Sequence, residues 1–122
     1  RVAMALGSAL CANKHVRKLD LTDKAVSDAG VRELVNGLCE SCTLKELVLD
    51  DNDLGDEAAL LLAGAFPRHL RRLSLKSYRI TSWGAECLVR SARTSHRLKK
   101  LDLRDNHFKD AALQSWRRED DD

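Results

Sequence analysis

The chain has 122 residues, enough for a single domain, and 33% of them are charged whereas only 4% are aromatic. No run approaches the roughly 18 to 20 apolar residues that span a bilayer, which excludes a membrane-spanning chain, and regularly spaced leucines argue against disorder. The formal net charge of +2 hides a segregation, because residues 20–57 contain three Lys or Arg against eleven acids, whereas residues 68–100 contain ten against one.

The first predicted element is a helix, because residues 1–13 carry small and apolar side chains at helical spacing. We interpret it as the helical half of a repeat or as an N-terminal cap. Since position 1 is Arg rather than Met, we expect the chain to be a portion of a longer protein.

A recurrent spacing of apolar residues follows. One copy is formed by Leu44, Leu47, Leu49 and Leu54, with Asn52 between the last two, and neighbouring copies are offset by 28, 26 and 28 residues. Each copy predicts a short strand followed by a turn. The other copies are Val16, Leu19, Leu21 and Val26; Leu70, Leu73, Leu75 and Ile80; and Leu98, Leu101, Leu103 and Phe108.

These copies predict one domain over residues 1–122. Because a single repeat cannot bury its apolar face alone, the core is expected to arise from stacking of neighbouring units. The predicted units are the half-repeat or cap 1–13, the repeats 14–41, 42–67, 68–95 and 96–118, and an acidic tail 119–122.

Each strand is expected to precede a helix. Strands are predicted at about residues 17–21 and near 45–49; Ser27 or Asp28 is expected to cap the first helix, and Pro67 to end the second. The residues expected to face inward are Gly30, Val31, Leu34, Val35 and Leu38; Ala59, Leu62, Ala63 and Phe66; Gly84, Ala85, Leu88, Val89 and Ala92; and, in the fourth helix, Ala112, Leu113 and Trp116.

The spacing L-x-x-L-x-L-x-x-N-x-L is the leucine-rich repeat signature. Phrases such as LDLTDKAVSDAGVRELVNGL and LVLDDNDLGDEAALLLAGA resemble repeats of the ribonuclease-inhibitor type. The resemblance implies an α/β solenoid, with a parallel sheet on the concave face of a horseshoe arc and helices on the convex face. It also implies protein binding along the concave face.

The motif asparagine is expected to pair backbone groups that a tight turn leaves open. Asn52 and Asn106 keep it, whereas Lys24 and Tyr78 replace it. The first and third turns are therefore expected to differ locally from the second and fourth.

Side-chain alternation predicts three columns on the concave face. Arg72 beside Lys100, and Lys76 beside Arg104, are stacked like charges, which favours a partner with an acidic patch. The columns are Lys18, Glu46, Arg72 and Lys100; Asp20, Val48, Ser74 and Asp102; and Thr22, Asp50, Lys76 and Arg104. The residues expected to bind protein are Lys18, Glu46, Asp50, Arg72, Lys76, Tyr78, Trp83, Lys100, Asp102 and Arg104, with Tyr78 and Trp83 as aromatic anchors.

The cysteines and histidines do not form a recognisable catalytic or metal site. Cys11 and Cys39 are 28 residues apart, and equivalent positions of stacked helices lie too far apart for a disulfide. Cys39 and Cys42 form a C-x-x-C, but they follow a helix and have no second ligand pair. We therefore expect free thiols in a reducing compartment, the cytoplasm first and an organelle left open, with no metal and no cofactor.

The predicted function is a non-catalytic protein-interaction scaffold, as a portion of a larger protein or a subunit of a large intracellular assembly, with no membrane partner. One alternative is a small-GTPase regulator, because activators of the Ran type share such repeats. The other, less favoured, is nucleic-acid binding through the basic run RHLRRLSLKSYR, since few aromatic residues are present for stacking.

Overall fold

A computed structural model describes residues 5, 9, 15–37, 43–64, 70–77, 79–95, 97–106 and 113–118. In this part of the chain, strands and helices alternate until the last two strands, which follow one another. The elements are β1 (Lys18–Asp20), α1 (Asp28–Gly37), β2 (Glu46–Val48), α2 (Asp56–Gly64), β3 (Arg72–Ser74), α3 (Ser82–Ser95), β4 (Lys100–Asp102) and β5 (Ser115–Arg117). Of residues 1–13, only Ala5 and Ala9 are described, and both are helical.

The strands form a single sheet in the order β1-β2-β3-β4-β5, and the first four are parallel. Lys18 pairs with Glu46, Glu46 with Arg72 and Arg72 with Lys100. This register confirms the predicted first column, and the pairing of Asp20, Val48, Ser74 and Asp102 confirms the second. The unit boundaries themselves stay predictions.

The core lies between the sheet and the helices, and it is made by the leucines of the recurrent spacing. All four apolar residues of the second and third copies are at most 1% exposed, because a unit covers them on each side. In the first copy, Val16, Leu19, Leu21 and Val26 are only partly buried. Phe108 of the fourth copy, Leu38, Phe66 and Pro67 lie outside the described residues.

The helix stripe predicted for α3 is confirmed in full, since its buried residues are Gly84, Ala85, Leu88, Val89 and Ala92. In α1, Val31 and Leu34 are buried. In α2, Ala58 is buried beside the predicted Ala59 and Leu62. None of the helices in the described part is long and apolar enough to cross a membrane.

The helix expected around Trp116 in the fourth unit is wrong. Ser115–Arg117 forms β5, which pairs antiparallel with β4 and places Trp116 opposite Leu101. Trp116 still packs against the core, as predicted, but from a strand. The physical reason is that β4 would otherwise present an unpaired edge, which an antiparallel strand covers with backbone hydrogen bonds. Ala112 lies outside the described residues.

The turns after the strands are built around left-handed backbone positions and the motif asparagine. Asn52 is buried, accepts the N–H groups of Lys24 (3.1 Å) and Val26 (2.9 Å), and donates to the carbonyls of Leu21 (2.9 Å) and Leu49 (3.0 Å). It therefore closes the turn of the preceding unit as well as its own.

The first turn differs from the second, as predicted from the loss of asparagine at position 24. It contains two residues with positive φ, Asp23 (55°) and Ala25 (57°), whereas the second and fourth turns contain Asp51 (58°) and Asp105 (68°). Aspartate tolerates this region better than alanine does, so Ala25 is the strained position. Tyr78, in the third turn, lies outside the described residues.

Ser27 caps α1, because its Oγ accepts the N–H of Gly30 at 3.1 Å. Asp28, the alternative cap, instead accepts the N–H of Gly55 in the next unit at 3.1 Å. Asp56, at the start of α2, likewise bonds to the next unit, because its carboxylate accepts the N–H of Thr81 at 2.8 Å. Aspartates at the helix starts therefore join successive units.

Candidate functional site

A shallow groove of about 290 Å³ runs across the concave face of the sheet. Six of the ten residues predicted to bind protein line it, because alternate strand residues point away from the core. These six are Lys18, Glu46, Asp50, Arg72, Lys100 and Asp102. Asp20, Thr22, Val48, Leu73 and Ser74 complete the lining.

The acids at the β1 and β2 end of the groove, Asp20 and Glu46, are partly neutralised by their neighbours. The Lys18 Nζ lies 3.8 Å from a carboxylate oxygen of Glu46. Asp20 carries a carboxylate whose pKa is lowered chiefly by the hydroxyl of Thr22, with a further contribution from the Thr22 N–H. The exposed Lys18–Glu46 pair contributes only about 0.2 to 1 kcal/mol to stability, so both side chains remain open to a partner.

Asp50 is held within the protein. Its Oδ1 accepts the Ser74 hydroxyl at 2.7 Å and the N–H of Lys76 at 2.9 Å, and its Oδ2 lies 3.7 Å from the Lys76 Nζ. Asp50 and Lys76, which share the third predicted column, therefore form an ion pair. Because these bonds occupy the carboxylate, Asp50 shapes the groove between β2 and β3 rather than offering a free charge.

Asp102 and Arg104 form a second internal pair. The Arg104 Nε donates to Oδ1 at 3.0 Å and an Nη donates to Oδ2 at 2.9 Å, which is a bidentate arrangement. Burial alone would raise the pKa of Asp102, but the hydrogen bonds and charge of Arg104 outweigh it, and the pKa is lowered. Lys76 and Arg104 thus each have an acid partner, which offsets the repulsion between the two cations.

Arg72 and Lys100 are different, because neither forms an ion pair with any described residue. They are register neighbours on β3 and β4, and Lys100 is in turn the register partner of Arg117 on β5. Paired strand residues share a face, so Arg117 also lies on the concave side. The result is a row of three exposed cations on β3, β4 and β5, of which Arg72 and Lys100 line the groove.

Arg117 was not among the predicted site residues. The sequence interpretation placed it beyond a helix, and only the antiparallel turn of β5 brings it beside Lys100. The alternating polarity of Ser115, Trp116 and Arg117 is typical of a strand, but three residues are too few to predict one.

Of the two predicted aromatic anchors, only Trp83 is described, and it does not line this groove. Trp83 is 57% exposed in the first turn of α3, in the helical layer, and does not line the concave face. Tyr78 lies outside the described residues. Among the described lining residues, the prominent groups of the groove are charged rather than aromatic.

Within the described residues, no group of His, Cys, Asp and Glu could hold a metal ion. Cys87 is a free thiol in α3. Cys11, Cys39 and Cys42 lie outside the described part, as do all histidines except His15.

The comparison with protein families decides what kind of repeat this is. A leucine-rich repeat model matches residues 12–35, 40–63 and 94–115. The chain belongs to the leucine-rich repeat family. Leucine-rich repeats generally serve as non-catalytic protein-interaction domains. The matched segments leave out most of the third unit, although β3 continues the parallel register of the leucine-rich repeat sheet.

Relatives are larger proteins that contain similar repeats. Leucine-rich repeat-containing protein 45 of Gallus gallus is 31% identical over 108 residues, which are 85% of this chain and 16% of that protein. NACHT, LRR and PYD domains-containing protein 12 of Homo sapiens is 31% identical over 141 residues, at 88% and 13%. Protein NLRC5 of Mus musculus is 36% identical over 76 residues, at 61% and 4%. The chain thus spans at most 16% of the length of these relatives.

Among solved structures, Leiomodin-1 Actin-Binding Site 2 superimposes with a TM-score of 0.73. The match covers 84% of this chain and 60% of that one, at 14% sequence identity. At this identity the likeness supports the leucine-rich repeat fold alone.

Proposed function

We propose that this chain is a cytoplasmic protein-interaction scaffold that binds an acidic patch of a partner protein through the concave face, as a portion of a larger protein or assembly. The observation that carries the proposal is the row of Arg72, Lys100 and Arg117. These cations occupy adjacent strands about 4.8 Å apart and have no acid partner among the described residues. Cations held side by side repel, and an acidic surface relieves that repulsion.

The other charges of the groove support an acidic partner at this end rather than at the other. Asp50 and Asp102 are occupied by internal bonds, and Glu46 lies near Lys18. The uncompensated charge is therefore positive and lies on β3 to β5. Electrostatic complementarity of this kind acts mainly on association rate and partner choice.

Site-specific photocrosslinking tests which face binds. A lysine-directed reagent would be biased, because α1, α2 and α3 contain no lysine, whereas the sheet strands do. We therefore choose a photoreactive residue at Ser115, exposed on the concave face, and a matched one at Arg90, exposed on α3.

With the full protein in its native extract, the proposal expects capture from Ser115 and not from Arg90, and mass spectrometry should map the captured partner peptide to an acidic segment. Capture from Arg90 alone, or from a partner surface without acids, would show that the concave face is not the binding face.

A further inference from the structure

A second set of cations lies outside the groove, along the amino-terminal ends of the strands. We name Arg17, Lys45, Arg71 and Lys99 the basic row. The Lys45 N–H donates to the Arg17 carbonyl at 2.7 Å, the Arg71 N–H to Lys45 at 2.8 Å and the Lys99 N–H to Arg71 at 2.7 Å. These bonds continue the sheet ladder, so the backbones of the four residues lie at strand spacing and span about 14 Å.

The basic row is short of negative charge. Within the described residues, Arg17, Lys45 and Arg71 form no ion pair. The Nε of Arg71 is buried and has no hydrogen-bond partner there. Burial, followed by the charges of Arg71, Arg17 and Arg97, lowers the pKa of Lys45. These observations indicate that Arg17, Lys45 and Arg71 lie close together without a counter-charge among the described residues.

We propose that the basic row is a second binding surface, which takes an extended acidic segment of a partner protein. Its span of about 14 Å matches about four residues of extended peptide at roughly 3.4 Å each. Single-stranded nucleic acid fits less well, because it binds cationic grooves that also offer aromatic side chains for stacking. The large apolar side chains exposed in the described part are Leu60 and Trp83, both on helices.

Fluorescence anisotropy with a labelled hexaglutamate peptide tests the surface on the full chain. The double variant Lys45→Gln/Arg71→Gln should bind about tenfold more weakly at low salt, since two charge pairs are lost. The matched control Arg90→Gln/Arg93→Gln removes the same charge from the exposed face of α3 and should change the dissociation constant less than about twofold. An equal loss in both variants would overturn the proposal, because only net charge would then matter.

Two further arms locate the site. The concave variant Arg72→Gln/Lys100→Gln should lose less peptide affinity than the row variant, although the groove also attracts acids. A loss as large as that of the row variant would place the peptide in the groove and overturn the proposal. Tighter binding of oligothymidylate than of hexaglutamate would show a nucleic-acid surface and overturn the proposal.

A measurement on the unmodified chain remains informative if the row variant fails to fold. The ¹⁵N resonance of the Lys45 Nζ reports its protonation directly. Saturating hexaglutamate should raise the pKa of Lys45, because a carboxylate then offsets burial and the neighbouring arginines. An unchanged pKa in the presence of bound peptide would mean that the peptide lies elsewhere.

Discussion

Asn52→Ala is expected to be among the most damaging single substitutions in a turn of this protein. The side chain is 4% exposed and pairs backbone groups of two successive units. Its removal leaves the N–H groups of Lys24 and Val26 and the carbonyls of Leu21 and Leu49 without this partner. The affected units would then be held together less tightly.

The magnitude follows from the number and burial of these groups. Each buried polar group left unpaired costs about 1 to 3 kcal/mol, but water can reach some groups of the partly exposed first turn. We therefore expect a loss of about 3 kcal/mol in the free energy of unfolding. Asn106→Ala should cost about half as much, because Asn106 is half-buried and makes three such bonds to described residues. Asn52 makes five when its bond to the Asp50 carbonyl is included.

Guanidinium denaturation followed by circular dichroism measures these differences. Asn36→Ala is the control, since Asn36 is exposed in α1 and its replacement should change the free energy of unfolding by less than about 0.5 kcal/mol. If Asn52→Ala were no more destabilising than Asn36→Ala, the role assigned to the motif asparagine would be refuted.

Two further predictions concern the helices and the groove. Gly84→Ala should destabilise by about 1 to 2 kcal/mol in thermal unfolding, because the added Cβ would overlap the Asp56 carboxylate, whereas Gly64→Ala, with open space around it, should be neutral or stabilising. Asp102 has a lowered pKa, so its bond to Arg104 stabilises the fold above the ordinary aspartate pKa of about 3.9 and is lost as pH falls through the folded-state pKa. Asp102→Asn should therefore flatten the acid limb of a stability against pH curve; an unchanged limb would contradict this.

The sheet could be predicted from the sequence because the same apolar spacing recurs in every copy. Leu47, Leu73 and Leu101 occupy the same place in this spacing, and shifting any strand by one residue would turn its leucine outward. The register of the concave columns followed from the same constraint. The stripe of α3 was equally predictable, since an apolar face must meet the sheet.

The end of the repeat array could not be predicted in the same way. Trp116 is apolar and packs on the core in either a helix or a strand, so its spacing did not distinguish the two. Residues 115–117 form β5 because a strand there covers the edge of β4. That edge exists only in the folded sheet, so the local sequence does not indicate it. Arg117 was missed for that reason.

Which charged side chains pair with each other could likewise be seen only in the structure. Register predicted that Asp50 could meet Lys76, but not that Ser74 would share the same carboxylate. Arg104 was expected to be an uncompensated cation, yet it is paired with Asp102 two residues earlier. Such pairings depend on side-chain rotamers, which a residue's position in a column does not fix.

The most direct test of the central claim is the affinity for the captured partner after charge reversal. Arg72→Glu/Lys100→Glu alters the concave row, and Arg90→Glu/Arg93→Glu makes the same change in net charge on α3. The account predicts a loss of at least about tenfold for the concave pair, mainly in the association rate and shrinking with added salt, and less than about threefold for the helical pair. Equal losses, or a larger loss for the helical pair, would contradict it.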